Sequence, residues 1–153
     1  MTLSDYVDNI NKRYKLGNAT EHTFRGDLQQ LIESLVPDIR ATNEPKRQSC
    51  GAPDYILTKK DIPVGFIEAK DIGDSDLDGI KKTGNKEQFD RYKASLNNIF
   101  FTDYLNFHLY RDGQLVKKVA IAEVTAKGIK PLQENFPSFE NLLKDFCSHI
   151  GQT

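Results

Sequence analysis

The sequence predicts an α/β (α+β) domain: one central mixed β-sheet flanked by helices. Three observations carry that expectation. Residues 24–36 place Phe24, Leu28, Leu31, Ile32, Leu35 and Val36 on one helical stripe. Residues 54–59 and 64–70 are short apolar-rich runs around a polar turn, the pattern of a hairpin. Asp112-Gly113 sits between two further strand-like runs and is a strong hairpin turn. Helices and strands are thus interleaved along a chain of 153 residues, enough for one domain with a real core.

The elements follow in order. Residues 6–14 are expected to form a short amphipathic helix ended by Gly17-Asn18. A longer helix is expected over 20–36 and is stopped by Pro37. Strands are expected at 54–59 and 64–70. The polar stretch 71–86 holds three glycines and no large apolar cluster, so a loop is expected there. A helix over 87–97, strands over 99–102, 105–111 and 115–124, and a helix over 139–150 complete the chain. Leu142, Leu143 and Phe146 mark the inner side of the last helix. The expected organisation is a single domain over 1–153: an N-terminal helix in 1–17, a core in 18–124, then a linker and C-terminal helix in 125–153. It reads as a fragment of a longer protein.

The formal net charge is −1. A freestanding DNA-binding domain normally carries a basic excess, so tight binding of nucleic acid by this chain alone is not expected. Cys50 and Cys147 are far apart and form no CxxC pair, which excludes a disulfide framework and a cysteine zinc site. His22, His108 and His149 are scattered and form no metal cluster. The N-terminal MTLSDYVDNINKRYK is charged throughout and lacks a secretory apolar core. No run reaches membrane length. Reduced thiols and a cytoplasmic location are the expectation.

The densest chemistry lies in GAPDYILTKKDIPVGFIEAK, residues 51–70. A turn centred on Asp61 pairs 59 with 63, 57 with 65 and 54 with 68. Asp54 and Glu68 then become direct cross-strand neighbours, with Cα atoms about 5 Å apart. Strand side chains alternate, so Glu68 and Lys70 share a face and Ile67 and Ala69 take the other. A slip of one residue would separate the acids. Two facing carboxylates repel, and a divalent cation removes the repulsion. Mg²⁺ takes hard oxygen ligands, commonly one or two carboxylates with water and phosphate. A metal there would polarise a phosphoryl group and lower the pKa of bound water. A lysine two residues after the second acid would hold the phosphate or orient the water, offsetting charge in the transition state. The Ala69 carbonyl is a further candidate ligand. The bland reading makes Asp54 a turn residue and Glu68 and Lys70 solvent-facing strand positions.

Pro53-Asp54 … Glu68-Ala69-Lys70 resembles the PD-(D/E)XK nuclease superfamily. The phrases TNEPKRQSCGAPDYIL, GFIEAKDIG and EQFDRYKASLNN resemble the N-terminal nuclease domain of large single-chain restriction-modification enzymes. In those proteins a DNA methyltransferase, and often a helicase-like motor, follows. The resemblance covers about residues 21–124. It implies a restriction-endonuclease-like core and Mg²⁺-dependent DNA endonuclease activity, with Mn²⁺ as a substitute. It implies catalytic roles for Asp54, Glu68 and Lys70. Its partners would be DNA and the other domains of the parent enzyme, with no membrane.

The resemblance also implies a glutamate on the helix before the core. Glu21 extends the apolar stripe of Phe24 and Leu28, while Glu33 lies about 140° around from Leu28, on the solvent side. Glu21 is therefore the candidate, its alternative being an acid favoured by the helix dipole. Gln88 and Tyr92 stand at i and i+4 on one helix face and match the QxxxY element of RecB-type members. Gln88 would then support a catalytic carboxylate or touch DNA, and Tyr92 would pack beside the site or touch the DNA backbone. In the alternative, Tyr92 joins Phe89 and Leu96 in the core and Gln88 is solvated. Arg40, Lys46, Arg47, Lys59, Lys60, Lys81, Lys82, Arg91 and Lys93 flank the site, with Lys46-Arg47 the leading phosphate contacts.

Asp74-Ser75-Asp76-Leu77-Asp78-Gly79 imitates the start of an EF-hand loop, but the twelfth position is Asn85, which cannot supply a bidentate carboxylate. A flexible acidic loop near the site is expected instead. Two further readings stay open: a non-catalytic nucleic-acid-binding module of the same fold, and a DNA-repair nuclease.

Overall fold

The computed structural model describes residues 1–17, 21–43 and 51–149, and side chains of residues 21–23 lie outside that description. Helices α1 (Leu3–Leu16) and α2 (Glu21–Leu35) come first. Strands β1 (Ile39–Asn43), β2 (Tyr55–Lys59) and β3 (Ile62–Ala69) follow. Helix α3 (Lys86–Ser95) leads into β4 (Asn98–Thr102), β5 (Asn106–Arg111) and β6 (Gln114–Ala120). The short strands β7 (Ala122–Thr125) and β8 (Gly128–Pro131), a single 3-10 turn and α4 (Phe136–Ser148) complete the chain.

Strands β1 to β6 form one sheet in sequence order. Every neighbouring pair is antiparallel except β3 and β4, which run parallel. A parallel pair needs a crossover, and α3 supplies it. Both faces of this central pair are covered, so all five residues of β4 are buried.

Alternation along the strands divides the interior into two clusters. Tyr55, Leu57, Ile67, Ala69 and Phe100 face a large cluster with residues of α1, α2 and α4. Ile99, Phe101 and Tyr110 face a smaller one with Phe89 and Tyr92 of α3 and Leu96 just after it. The Phe89 ring stacks on Phe101 with centroids 3.8 Å apart.

Three expectations change. Strand β1 was not expected, because IRATN offers only Ile39 and Ala41 as apolar residues; it closes the sheet edge beside β2. The single strand expected over 115–124 is two strands in different sheets, with the chain leaving the main sheet between Ala120 and Ala122. The expected linker after residue 124 is half of the β7–β8 hairpin, and α4 buries Phe139, Leu142, Leu143 and Phe146 in the main core.

Glu33 was expected on the solvent side of α2. It is half-buried and its Oε2 accepts the Ala41 backbone N–H at 3.0 Å, tying α2 to β1.

Helix α4 crosses β3 where Gly65 offers no side chain. A Cβ at Gly65 would collide with the Phe146 ring and press on Asn98 Nδ2 at 3.1 Å. Asn98 is fully buried and its Nδ2 donates to the carbonyls of Val64 and Phe146, both at 2.8 Å. Replacement Gly65→Ala is expected to destabilise the fold by about 1–3 kcal/mol through overpacking, measured by chemical denaturation.

Candidate active site

The hairpin that carries Asp54 and Glu68 turns more tightly than the sequence suggested. Lys60 and Asp61 form a two-residue turn with φ of 51° and 66°, both left-handed as a type I′ hairpin requires. Lys59 therefore pairs with Ile62, and Thr58 with Pro63. A bulge then intervenes, and Leu57 pairs with Gly65 and Tyr55 with Ile67. The extra residue is Val64, and Pro63, which has no N–H to give a ladder, stands beside it. Without the bulge Asp54 would lie opposite Ile67. With it, the register expected for the 54 and 68 positions is recovered by a different route.

Asp54 and Glu68 meet at the carboxyl end of β3, where open α/β sheets place their ligand sites. Each acid grips the other's backbone. The Asp54 N–H donates to Glu68 Oε1 at 3.2 Å, and the Ala69 N–H donates to Asp54 Oδ2 at 2.8 Å. Glu68 is 4% exposed. Burial and the Asp54 charge push its pKa up to about 8, against the opposing pull of Lys70.

Two cations balance the acids. Lys70 Nζ lies 3.5 Å from Glu68 Oε2 and donates to Gln88 Oε1 at 2.7 Å. It also sits over the Phe89 ring, 5.6 Å from its centroid. Gln88 lies in the first turn of α3, so the crossover helix aims the lysine. The second cation is Arg25 on α2, which sequence reasoning missed. Its Nη2 donates to Asp54 Oδ1 at 2.7 Å, and its backbone carbonyl accepts the Tyr55 hydroxyl at 2.9 Å. The available signal was an arginine next to Phe24, inside the apolar stripe of α2.

Glu21 stands one turn before Arg25 on the same helix; its side chain lies outside the described residues, as do Lys46 and Arg47. Tyr92 is 2% exposed and packs with Phe89, Leu96 and Phe101. Its hydroxyl lies close to Gly51, behind the entry to the hairpin. That position gives Tyr92 a place in the core beside the hairpin.

The donor set fits a hard divalent cation. Asp54 and Glu68 offer carboxylate oxygens with more lone pairs than the protein donors occupy. The high proton affinity of Glu68 marks a place where added positive charge is favourable. Among the described residues no third His, Cys, Asp or Glu joins them in a metal-binding group. Mg²⁺ tolerates this, since it retains several waters and takes substrate oxygens.

No family model matches the chain, and no curated protein matches it. Among solved structures, it is similar to a chain in the cryo-EM structure of a DrdV–DNA complex. The TM-score is 0.67 at 22% identity, over 99% of this chain and 14% of the other. The fold is restriction-endonuclease-like: an α+β core with a six-stranded mixed sheet and four helices. The chain spans about one seventh of that relative's length. Among the described residues, no helix is long and apolar enough to cross a membrane.

The raised pKa of Glu68 sets a pH dependence. Between its ordinary value of 4.5 and about 8 the folded chain keeps a proton that the unfolded chain has lost. Stability is therefore expected to fall as pH rises through that window, at about 1.4 kcal/mol per pH unit. Denaturation midpoints across this range should show the decline in the metal-free wild type and its loss in Glu68→Gln.

Proposed function

We propose that this chain is a Mg²⁺-dependent DNA endonuclease domain of a larger restriction-modification enzyme. The observation that carries the reading is the reciprocal lock of Asp54 and Glu68 with Lys70 on the same edge. Two acids and a lysine held together at a strand end, with one acid strongly perturbed, mark a functional site. The resemblance of the fold to a chain solved in a DrdV–DNA complex supports DNA as the substrate.

Asp54, Glu68 and the Ala69 carbonyl would hold the metal. Bound there, it would supply Lewis-acid polarisation of the phosphate and a more acidic water. The side chains have distinct tasks. Arg25 keeps the Asp54 carboxylate oriented and charge-balanced. Lys70, steadied by Gln88, presents its ammonium to the scissile phosphate or to the attacking water. Glu21, on α2, is the proposed further catalytic carboxylate. Mn²⁺ is an expected substitute for Mg²⁺.

The net charge of −1 fits a domain whose target is delivered by others. A methyltransferase, and often a helicase-like motor, are the expected companions.

Plasmid nicking at high protein concentration tests the reading. Cleavage should require Mg²⁺ or Mn²⁺ and fall about 100-fold or more in Glu68→Ala and in Lys70→Ala. Gln88→Ala should retain part of the rate, since it removes a support and leaves the ammonium. Metal-independent cleavage, or full activity in Glu68→Ala, would overturn the proposal.

A further inference from the structure

Residues 71–86, expected to be a flexible acidic loop, form a built structure with its charges sorted. Asp74 Oδ1 accepts the Asp76 N–H at 2.7 Å and Asn85 Nδ2 at 3.0 Å. Asp76 is 4% exposed and accepts three backbone N–H groups, from Ile80 at 2.9 Å, Lys81 at 3.1 Å and Asn85 at 2.9 Å. Asp78 accepts the Tyr110 hydroxyl at 2.8 Å and Lys118 Nζ at 2.7 Å, and its Oδ1 lies 3.0 Å from His108 Nδ1. Gly84 makes room for this packing, because a Cβ there would stand 2.6 Å from Asp76 Oδ2.

These three acids are thus consumed in holding the loop, and residues 80–83 are left outside. Ile80 is 72% exposed, and Lys81, Lys82 and Thr83 are exposed beside it. Among the described residues neither Lys81 nor Lys82 forms an ion pair; Lys81 Nζ donates only to Ser75 Oγ, at 3.2 Å. The loop runs directly into α3 at Lys86, and Gln88, in that first turn, holds the Lys70 ammonium. The exposed tip and the acidic site are therefore joined through one turn of helix.

We infer that the 80–83 tip docks on the sugar–phosphate backbone of duplex DNA bound at the Asp54–Glu68 site. Lys81 and Lys82 meet phosphates, and Ile80 packs against the apolar edges of the deoxyriboses. A backbone pinned by Asp76 carries little ordering cost on binding, and two unpaired lysines next to an exposed aliphatic suit a phosphate-and-sugar surface. The inference rests on the nuclease reading.

Binding of a fluorescein-labelled duplex, followed by anisotropy in EDTA over a range of NaCl concentrations, tests it. The double variant K81A/K82A should bind more weakly and lower the salt slope by about 1.8, two released counterions at about 0.9 each. Ile80→Ser should weaken binding with the slope unchanged. Lys127→Ala with Lys130→Ala, on the β7–β8 hairpin, should alter neither. Thermal unfolding of each variant should match the wild type, since these side chains are exposed. A wild-type slope in K81A/K82A overturns the docking surface; if Glu68-dependent cleavage persists, the nuclease reading stands without it. A reduced slope with no cleavage by the wild type in any metal retains the docking surface and removes the nuclease reading.

Discussion

Two carboxylates at the end of a hairpin each hold the main chain next to the other, and the local architecture serves that contact. Asp54 and Glu68 are too close to be ionised together at low cost. Their proximity survives because each accepts a backbone N–H, because Arg25 and Lys70 lie against them, and because Glu68 raises its proton affinity. Each compensation comes from a different element. Helix α2 supplies the arginine, the residue after β3 the lysine, and α3 the glutamine that orients the lysine. The sheet edge and the helices on both faces are needed to bring these groups to one place.

The bulge at Val64 is the backbone counterpart of this electrostatic arrangement. A tight type I′ turn and an unbroken ladder would carry Glu68 away from Asp54. One inserted residue restores the facing pair, and strands commonly use bulges beside sites to re-aim a side chain. Gly65 follows immediately, where α4 and Asn98 press on the strand. The segment 63–65 thus combines a proline, a bulge and a close helix contact. Local strand irregularity there is a condition for the site, and the regular ladder resumes toward Glu68.

Much of this was legible from residues alone. The helical stripe of α2, the Asp112-Gly113 hairpin and the run from Asp54 to Lys70 carry strong local patterns, and each became the expected kind of element, although the second strand of the Asp112-Gly113 hairpin ends early, at Ala120. The pairing of 54 with 68 was reached by assuming a turn centred on Asp61, and the true turn with its bulge arrives at the same partners. Strand β1 was hidden because an edge strand needs few apolar residues. Arg25 was hidden because an arginine in an amphipathic helix usually snorkels to water, and nothing local signals an acid from the hairpin. The charge sorting of 71–86 was hidden for a related reason. Composition showed an acidic loop, while the hydrogen bonds of Asp74, Asp76 and Asp78 depend on tertiary partners. Tyr92 had two readings from its spacing, and burial against Phe89 and Phe101 favours the core.

The most direct measurement is a crystal structure of the chain soaked with Mn²⁺, using the anomalous signal to locate the ion. The result expected is a peak bridging the Asp54 and Glu68 carboxylates, within ligand distance of the Ala69 carbonyl, and absent from Glu68→Ala crystals. An ion bound elsewhere, or no ion at the Asp54–Glu68 pair at saturating Mn²⁺, would contradict the metal-site assignment.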